Sequence, residues 1–77
     1  MVVIPDGFKI RELRKSIGKT QAEMAESADT TDRYIRDLEA GRKRDPSARI
    51  VYGCAAFLGV AMEELMMVVE EDKQDDY

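Results

Sequence analysis

Residues 20–41 constrain the fold most, because their pattern predicts two short helices joined by a tight turn. Thr20 and Glu23 make a T-x-x-E capping box. In this motif the Thr20 hydroxyl accepts from the N–H of Glu23, while the Glu23 carboxylate reaches back to the N–H of Thr20. Met24 and Ala25 begin the apolar face of the same helix. We therefore expect a helix that starts at Thr20 and buries one side.

A turn and a second helix are predicted to follow. Residues 28–31 interrupt the apolar period with side chains that favour turns, and Asp29 suits the left-handed backbone conformation. Thr31 can cap the second helix, whose apolar residues Ile35 and Leu38 are spaced i, i+3. This spacing indicates a helix with one narrow apolar edge and an otherwise exposed surface.

Three further helices are predicted around this pair, so the expected fold class is all-α with five helices. The first helix covers about residues 7–17 and is capped by Asp6. The fourth follows Pro46, with Asp45 or Ser47 as its cap, and ends at Gly59. The fifth is expected from about residue 61 to residue 69.

The domain organisation predicted from these elements is simple. Residues 1–77 are expected to form one domain, with the helical bundle over residues 6–69. The segment before Asp6 is apolar but too short to support a structural prediction. Residues 70–77 are acidic and are expected to be disordered.

Composition excludes several classes of function. One cysteine and no histidine leave no internal disulfide, no zinc-finger ligand set and no histidine base. We therefore expect neither an enzyme nor a bound metal or cofactor. No apolar run is long enough to cross a membrane, and the N-terminus lacks the apolar block of a signal peptide, so a cytoplasmic protein is expected.

The charge distribution is uneven. The net charge is −4, and residues 70–77 alone carry five acids and one lysine. Residues 1–69 are therefore neutral, with eleven basic and eleven acidic side chains. Two basic clusters, within residues 9–19 and 42–49, flank the predicted helix pair, which favours a polyanionic partner.

Several short motifs carry a family resemblance. They are Thr20-Gln21, Ala25, Thr30-Thr31, Ile35, Leu38-Glu39 with Gly41, Pro46-Ser47, Leu58-Gly59-Val60 and Glu64-Leu65. In this spacing the chain resembles the XRE (Cro/CI-type, lambda-repressor-like) helix-turn-helix family over roughly residues 8–69. The resemblance implies a five-helix lambda-repressor-like domain that binds double-stranded DNA. It also implies that the helix from about Asp32 to Ala40 is the recognition helix.

The outward face of this helix is predicted to read DNA bases. With its two apolar residues inward, a rotation of about 100° per residue turns Arg33, Arg36 and Asp37 outward and leaves Asp32 exposed. Arginine can donate two hydrogen bonds to guanine, and aspartate can accept from cytosine N4. We expect base contacts from Asp32, Arg33 and Asp37, which fall on base-contacting positions of the family, and a base or phosphate contact from Arg36.

The acids on this face also have a simpler interpretation. Asp32 can pair with Arg36, and Arg33 with Asp37, as i, i+4 ion pairs on a solvated helix. Both interpretations hold together if an aspartate orients an arginine that reads guanine.

Phosphate contacts are expected on either side of the recognition helix. Gln21 matches a contact position of the family at the start of a helix, and Thr31 starts the next one. The resemblance also places the DNA backbone at the residues that follow the recognition helix, which are Arg42, Lys43 and Arg44. For each of these basic side chains a solvated charge without a ligand is the alternative.

Two structural roles complete the predictions. The resemblance implies a partly buried ion pair between Arg14 and Glu39. The fifth helix is apolar nearly all round, so we expect Leu65, Met66 and Val69 to form a homodimer interface, with simple burial in the core as the alternative.

The function predicted is a sequence-specific transcriptional regulator, a repressor that binds a palindromic operator as a homodimer. Regulation by concentration, turnover or a protein antagonist is expected. The alternative is a protein–protein interaction module of the same fold, antitoxin-like or a regulatory subunit, with little DNA binding.

Overall fold

The structure, a computed structural model, describes residues 1–70. This part of the chain contains four α-helices, a short 3-10 helix and a two-stranded antiparallel sheet. In chain order the elements are β1 (Val2–Pro5), α1 (Gly7–Ser16), α2 (Gln21–Ser27), α3 (Asp32–Glu39), α4 (Ala48–Leu58), the 3-10 helix (Met62–Leu65) and β2 (Met66–Val69). The predicted disorder of the acidic tail concerns residues that, apart from Glu70, lie outside the described part.

The prediction of a fifth α-helix is wrong, and with it the all-α, five-helix fold class. The chain forms the 3-10 helix and then β2, which pairs with β1 from Val2 opposite Val69 to Pro5 opposite Met66. The physical reason is that both segments are rich in β-branched side chains, which fit a pleated strand better than a helix. The fold is therefore mostly helical, closed by a small sheet.

The caps of the central helices agree with the sequence-based predictions. The N–H of Glu23 donates to Thr20 Oγ1 at 3.0 Å, and the N–H of Thr20 donates to Glu23 Oε1 at 2.8 Å, which confirms the capping box. The second of these hydrogen bonds lowers the pKa of Glu23. Asp29 adopts a φ of 58°, so the turn between α2 and α3 uses the left-handed conformation.

The core lies where α1–α4 and the 3-10 helix meet. Its buried apolar residues are Ile10, Met24, Ala25, Ala28, Ile35, Leu38, Ile50, Val51, Cys54, Ala55, Leu58 and Leu65. The sheet joins this core at the start of α1, where the N–H of Asp6 donates to the carbonyl of Leu65 at 2.8 Å. Among the helices of residues 1–70, none has the length and apolarity needed to cross a membrane.

Cys54 provides a test of this core. Its side chain is fully buried, and this burial, aided by the negative charge of Glu39, raises the pKa of the thiol from 9.0 to about 11. We expect the native thiol to react with a disulfide reagent at pH 8 at least tenfold more slowly than the unfolded thiol, because the thiolate is the nucleophile. Equal rates in native and unfolded protein would contradict the burial.

The same shift predicts a pH dependence of stability. Because the folded protein holds the thiol proton more tightly, this contribution to stability is complete below pH 9 and is lost as pH rises through about 11. The free energy of unfolding should therefore fall over this range, and the Cys54→Ala variant should lack that part of the fall.

Candidate nucleic-acid interface

The helix α3 is fixed to the body of the protein along one edge. Ile35 and Leu38 are fully buried, whereas Asp32, Arg33 and Arg36 are exposed. Thr31 caps the helix by accepting from the N–H of Tyr34 at 3.1 Å. A short helix held in this way presents an unobstructed polar edge to solvent.

Asp37 braces two arginines on this edge. Arg42 Nε donates to Asp37 Oδ1 at 3.0 Å, and Arg33 Nε lies 3.9 Å from Asp37 Oδ2. The carboxylate of Asp32 behaves differently, since within residues 1–70 it makes no hydrogen bond or ion pair, and the pair that it was expected to form with Arg36 is not observed. Asp37 therefore orients arginines, whereas Asp32 keeps its acceptor oxygens available.

Residues 42–44, here called the basic loop, are shaped by the end of α3. The N–H groups of Gly41 and Arg42 donate to the carbonyls of Leu38 and Asp37 at 3.2 and 2.9 Å, and Gly41 has a φ of 82°. This is a Schellman ending, in which the glycine tolerates the left-handed conformation. The chain consequently leaves α3 in a fixed direction.

Tyr34 supports the basic loop from the side of α3. Its hydroxyl accepts from the N–H of Ser47 at 2.9 Å, and the ammonium of Lys43 lies 4.6 Å from the centre of its ring. The cation–π contact limits the motion of Lys43, and the ammonium keeps its positive charge. This role was not predicted from the sequence, although an aromatic side chain between two arginines and close to a basic cluster was a usable signal.

A buried network joins α1, α2 and α3. Arg14 Nε and Nη2 donate to the two carboxylate oxygens of Glu39 at 2.7 and 2.9 Å, and Gln21 Nε2 donates to Glu39 Oε1 at 3.0 Å. The Glu39 side chain is 3% exposed, and its hydrogen bond raises the pKa of Arg14. Gln21 is therefore held in one orientation, with its side chain still partly accessible.

The residues expected at a dimer interface differ in exposure. Leu65 is fully buried in the core, so it is not available for an interface, and this expectation is corrected. Its side chain packs in the core, and its carbonyl accepts from the N–H of Asp6. Met66 and Val69 are half-buried, and the exposed apolar residues of the sheet are Val3, Met67 and Val68.

Comparison with known proteins places the chain in a family. Residues 10–65 match the HTH_3 family model, described as helix-turn-helix. None of the curated proteins compared with the chain matches it significantly.

Three solved structures illustrate the similarity. A complex of SinR with SinI superposes with a TM-score of 0.73 at 28% identity, over 78% of this chain and 58% of that one. SinR in complex with DNA gives 0.70 at 29% identity, over 77% and 94% of the two chains. The restriction-modification controller protein C.AhdI from Aeromonas hydrophila gives 0.70 at 29% identity, over 77% and 88%.

The SinR structures also show a difference in length. The chain spans less than two thirds of the matched chain in the SinR–SinI complex. By contrast, it spans 94% of an N-terminal DNA-binding domain of SinR from Bacillus subtilis, with a TM-score of 0.71 and 26% identity. The shared region is thus the helix-turn-helix domain. With the family model covering most of its residues, and α2, the turn and α3 in the order described above, the chain belongs to the XRE-type helix-turn-helix family.

Proposed function

We propose that the protein is a DNA-binding transcriptional regulator that inserts α3 into the major groove. The observation that carries the proposal is the exposed polar edge of α3, anchored by buried Ile35 and Leu38 and continued by the basic loop. A helix of this kind fits the major groove of B-DNA, where the pattern of donors and acceptors identifies each base pair. SinR, a relative by family and structure, has been solved with DNA.

Base reading is assigned to the leading half of α3. Arg33 is exposed and braced only loosely by Asp37, so its guanidinium can reach guanine O6 and N7. Asp32 has no partner among residues 1–70 and can accept from cytosine N4. Asp37 is engaged with Arg42 and Arg33, so its part is to orient arginines, with direct contact to cytosine as the alternative.

Phosphate binding is assigned to residues on both sides of α3. Gln21 and Thr31 contribute polar groups, and Arg42, Lys43 and Arg44 contribute charge. Because Asp37 and Tyr34 hold Arg42 and Lys43, these side chains lose little conformational freedom on binding. Phosphate contacts of this kind fix the orientation of the protein on the duplex but carry no sequence information.

The finer function proposed is that of a cytoplasmic repressor, which binds a palindromic operator as a homodimer and needs no catalytic activity. Occupying the operator is enough to block a promoter. A two-fold dimer would place two α3 helices about one DNA turn apart, on half-sites related by the same symmetry.

The dimer is proposed to form through the exposed side of the sheet. Val3 and Val68 face each other across the strands and are 57% and 59% exposed, and a second copy would remove them from water. We expect the protein to sediment as a dimer at high concentration and the Val68→Lys variant to sediment as a monomer. Tyr52→Lys, which changes an exposed residue on α4, should leave the dimer intact. A wild-type monomer at every concentration without DNA would contradict the proposal.

A protein-interaction module is the second candidate. Asp32, whose carboxylate has no partner within residues 1–70, repels phosphate from the outer edge of α3. The exposed apolar side of the sheet suits a protein partner as well as a second copy. SinR, which has also been solved with the protein SinI, is a relative with such a partner.

The salt dependence of duplex DNA binding separates the two candidates. For a regulator that contacts several phosphates, the logarithm of the binding constant should fall linearly with the logarithm of salt concentration, with a slope of about −0.9 for each phosphate. A slope near zero would favour the protein-interaction module.

A further inference from the structure

A cleft separates the sheet from the end of α3. Its volume is about 460 Å³. One wall is the face of the sheet that carries Ile4, Met67 and Val69, and the opposite wall includes Lys43 and Arg44 of the basic loop. We call it the sheet–loop cleft. An apolar wall that faces a basic wall suits an extended chain with acidic side chains.

The apolar wall is distinct from the face of the sheet that we propose for the dimer. Ile4 pairs with Met67 across the strands, and Val3 pairs with Val68. Successive side chains of a strand point to opposite faces of a sheet, so the two pairs lie on opposite faces. A second copy on Val3 and Val68 would therefore leave the sheet–loop cleft uncovered.

The acids that line the cleft are engaged, whereas the loop wall keeps a positive charge. Glu39 is neutralised by Arg14, which donates to both of its carboxylate oxygens. The carboxylate of Asp6 caps α1 by accepting from the N–H of Lys9 at 3.1 Å. The ammonium of Lys43 has no carboxylate partner within residues 1–70. The basic wall can therefore attract a carboxylate from another segment.

The chain itself supplies acidic residues next to this cleft. Val69 lines the cleft, and residues 71–77 follow after one further residue. These seven residues contain four acids and one lysine. Seven residues in an extended conformation span at most about 25 Å, so they are long enough to cross a cleft of this size.

We propose that residues 71–77, here called the acidic segment, occupy the sheet–loop cleft of their own chain and place carboxylates against the basic loop. The attraction is between charges and needs no fixed conformation of the segment. Because the basic loop is the proposed phosphate-binding element, the acidic segment would compete with DNA for the same cations. The inference rests on the proposed function only for this competition.

The attachment of the segment to the cleft sets the size of the effect. A short tether gives an effective concentration on the order of 1 mM, so even a segment with a dissociation constant of about 0.5 mM would occupy the cleft in roughly two chains out of three. DNA that requires an empty cleft would then bind about threefold more weakly. The competition is thus a modest adjustment of affinity.

The first arm of the test detects the contact without DNA. A nitroxide label is attached to the thiol introduced by Gln74→Cys, since Cys54 is buried. We expect the label to broaden the backbone NMR signals of Lys43 and Arg44, and the broadening to disappear when the four acids of the segment are changed to amides. These substitutions are Glu71→Gln, Asp72→Asn, Asp75→Asn and Asp76→Asn.

A matched control removes the same charge elsewhere. It changes four exposed acids outside the cleft and should leave the broadening intact. The four substitutions are Glu12→Gln, Glu26→Gln, Glu63→Gln and Glu64→Gln. Broadening that is absent in the labelled protein, or that survives loss of the segment's acids, overturns the proposal.

A mixed sample shows whether the contact lies within one chain. Isotope-labelled protein without a nitroxide is combined with nitroxide-labelled protein without isotopes, so any broadening then comes from a second copy. We expect none at the basic loop. Broadening at Lys43 in the mixed sample overturns the intramolecular contact and assigns the cleft to an interface between copies.

The second arm measures duplex DNA binding at low salt. Changing the four acids of the acidic segment should tighten binding about threefold more than the matched control does, because both variants alter the net charge equally and only one empties the cleft. Added DNA should also remove the broadening at Lys43. Cooperative melting of each variant verifies that it is folded.

The two arms separate the possible failures. Equal tightening in both charge variants, or broadening that persists on bound DNA, overturns the competition. DNA binding without any broadening at the basic loop overturns the cleft assignment alone. If the wild type shows the broadening but neither it nor a variant binds DNA, the proposed function fails and the cleft assignment stands.

Discussion

Replacing Gly7 with alanine should lower the melting temperature by roughly 12–24 °C, on the basis of about 3 kcal/mol of overpacking and 4–8 °C per kcal/mol for a domain of this size. A Cβ at this position would lie 2.5 Å from the carbonyl oxygen of Glu39 and 2.6 Å from that of Leu38. These are backbone atoms, so they cannot rotate away, and α1 must move off the end of α3.

The direction of the change in melting temperature distinguishes overpacking from helix propensity. Helix propensity alone predicts the opposite result, because alanine in a helix is favoured over glycine by up to about 1 kcal/mol. The matched control is Phe8→Ala in the same turn, which removes a side chain that is 71% exposed and should change stability by less than about 0.5 kcal/mol. A Gly7→Ala variant that melts at or above the wild-type temperature would contradict the close approach of α1 to α3.

Replacing Glu39 with glutamine should cost about 3 kcal/mol of stability, because it leaves the guanidinium of Arg14 buried without a counter-charge. The glutamine amide can still accept from one Arg14 nitrogen but must present its own N–H groups to the other. Arg14 and Glu39 are 9% and 8% exposed, so little water can reach them to replace the lost partner. Urea unfolding of the variant and the wild type measures the difference.

A double variant separates charge from packing. Arg14→Met combined with Glu39→Leu removes both charges and fills similar volume, so it should recover most of the stability that Glu39→Gln loses. If Glu39→Gln unfolds like the wild type, the pair contributes nothing and the anchoring of Gln21 must have another origin.

Local sequence patterns predicted the central part of the fold because the interactions there are local. The caps at Thr20 and Thr31 act within three residues, and the left-handed residue Asp29 follows from its side-chain chemistry. The apolar spacing of Ile35 and Leu38 likewise identified the buried edge of α3. These features are encoded in short segments and need no knowledge of distant contacts.

The sheet was missed because its pairing joins distant parts of the chain. β1 and β2 are four residues each, and Val2 pairs with Val69, so no hairpin turn marks the contact in the sequence. The apolar run of β2 fits the periodicity of a helix as well as that of a strand. Its two adjacent valines, and those of β1, were the only local signal.

The exposure of the candidate site residues followed from the sequence more readily than their contacts did. Asp37 was predicted to contact a base or to pair with Arg33, but its contact with Arg42 depends on the path of the chain beyond Gly41. The tight fit of Gly7 against α3 is likewise a tertiary contact, since the residue otherwise resembles any first helical position.

The most direct test of DNA reading by α3 is selection of bound sequences from a random pool of duplex DNA, repeated with Arg33→Ala. We predict that the wild type enriches a palindrome with a fixed guanine in each half-site. The variant should lose that preference, worth about 1–3 kcal/mol, while it keeps the remaining positions. Failure of the wild type to enrich any sequence, at any salt concentration, would contradict the assignment of α3 as a DNA-reading helix.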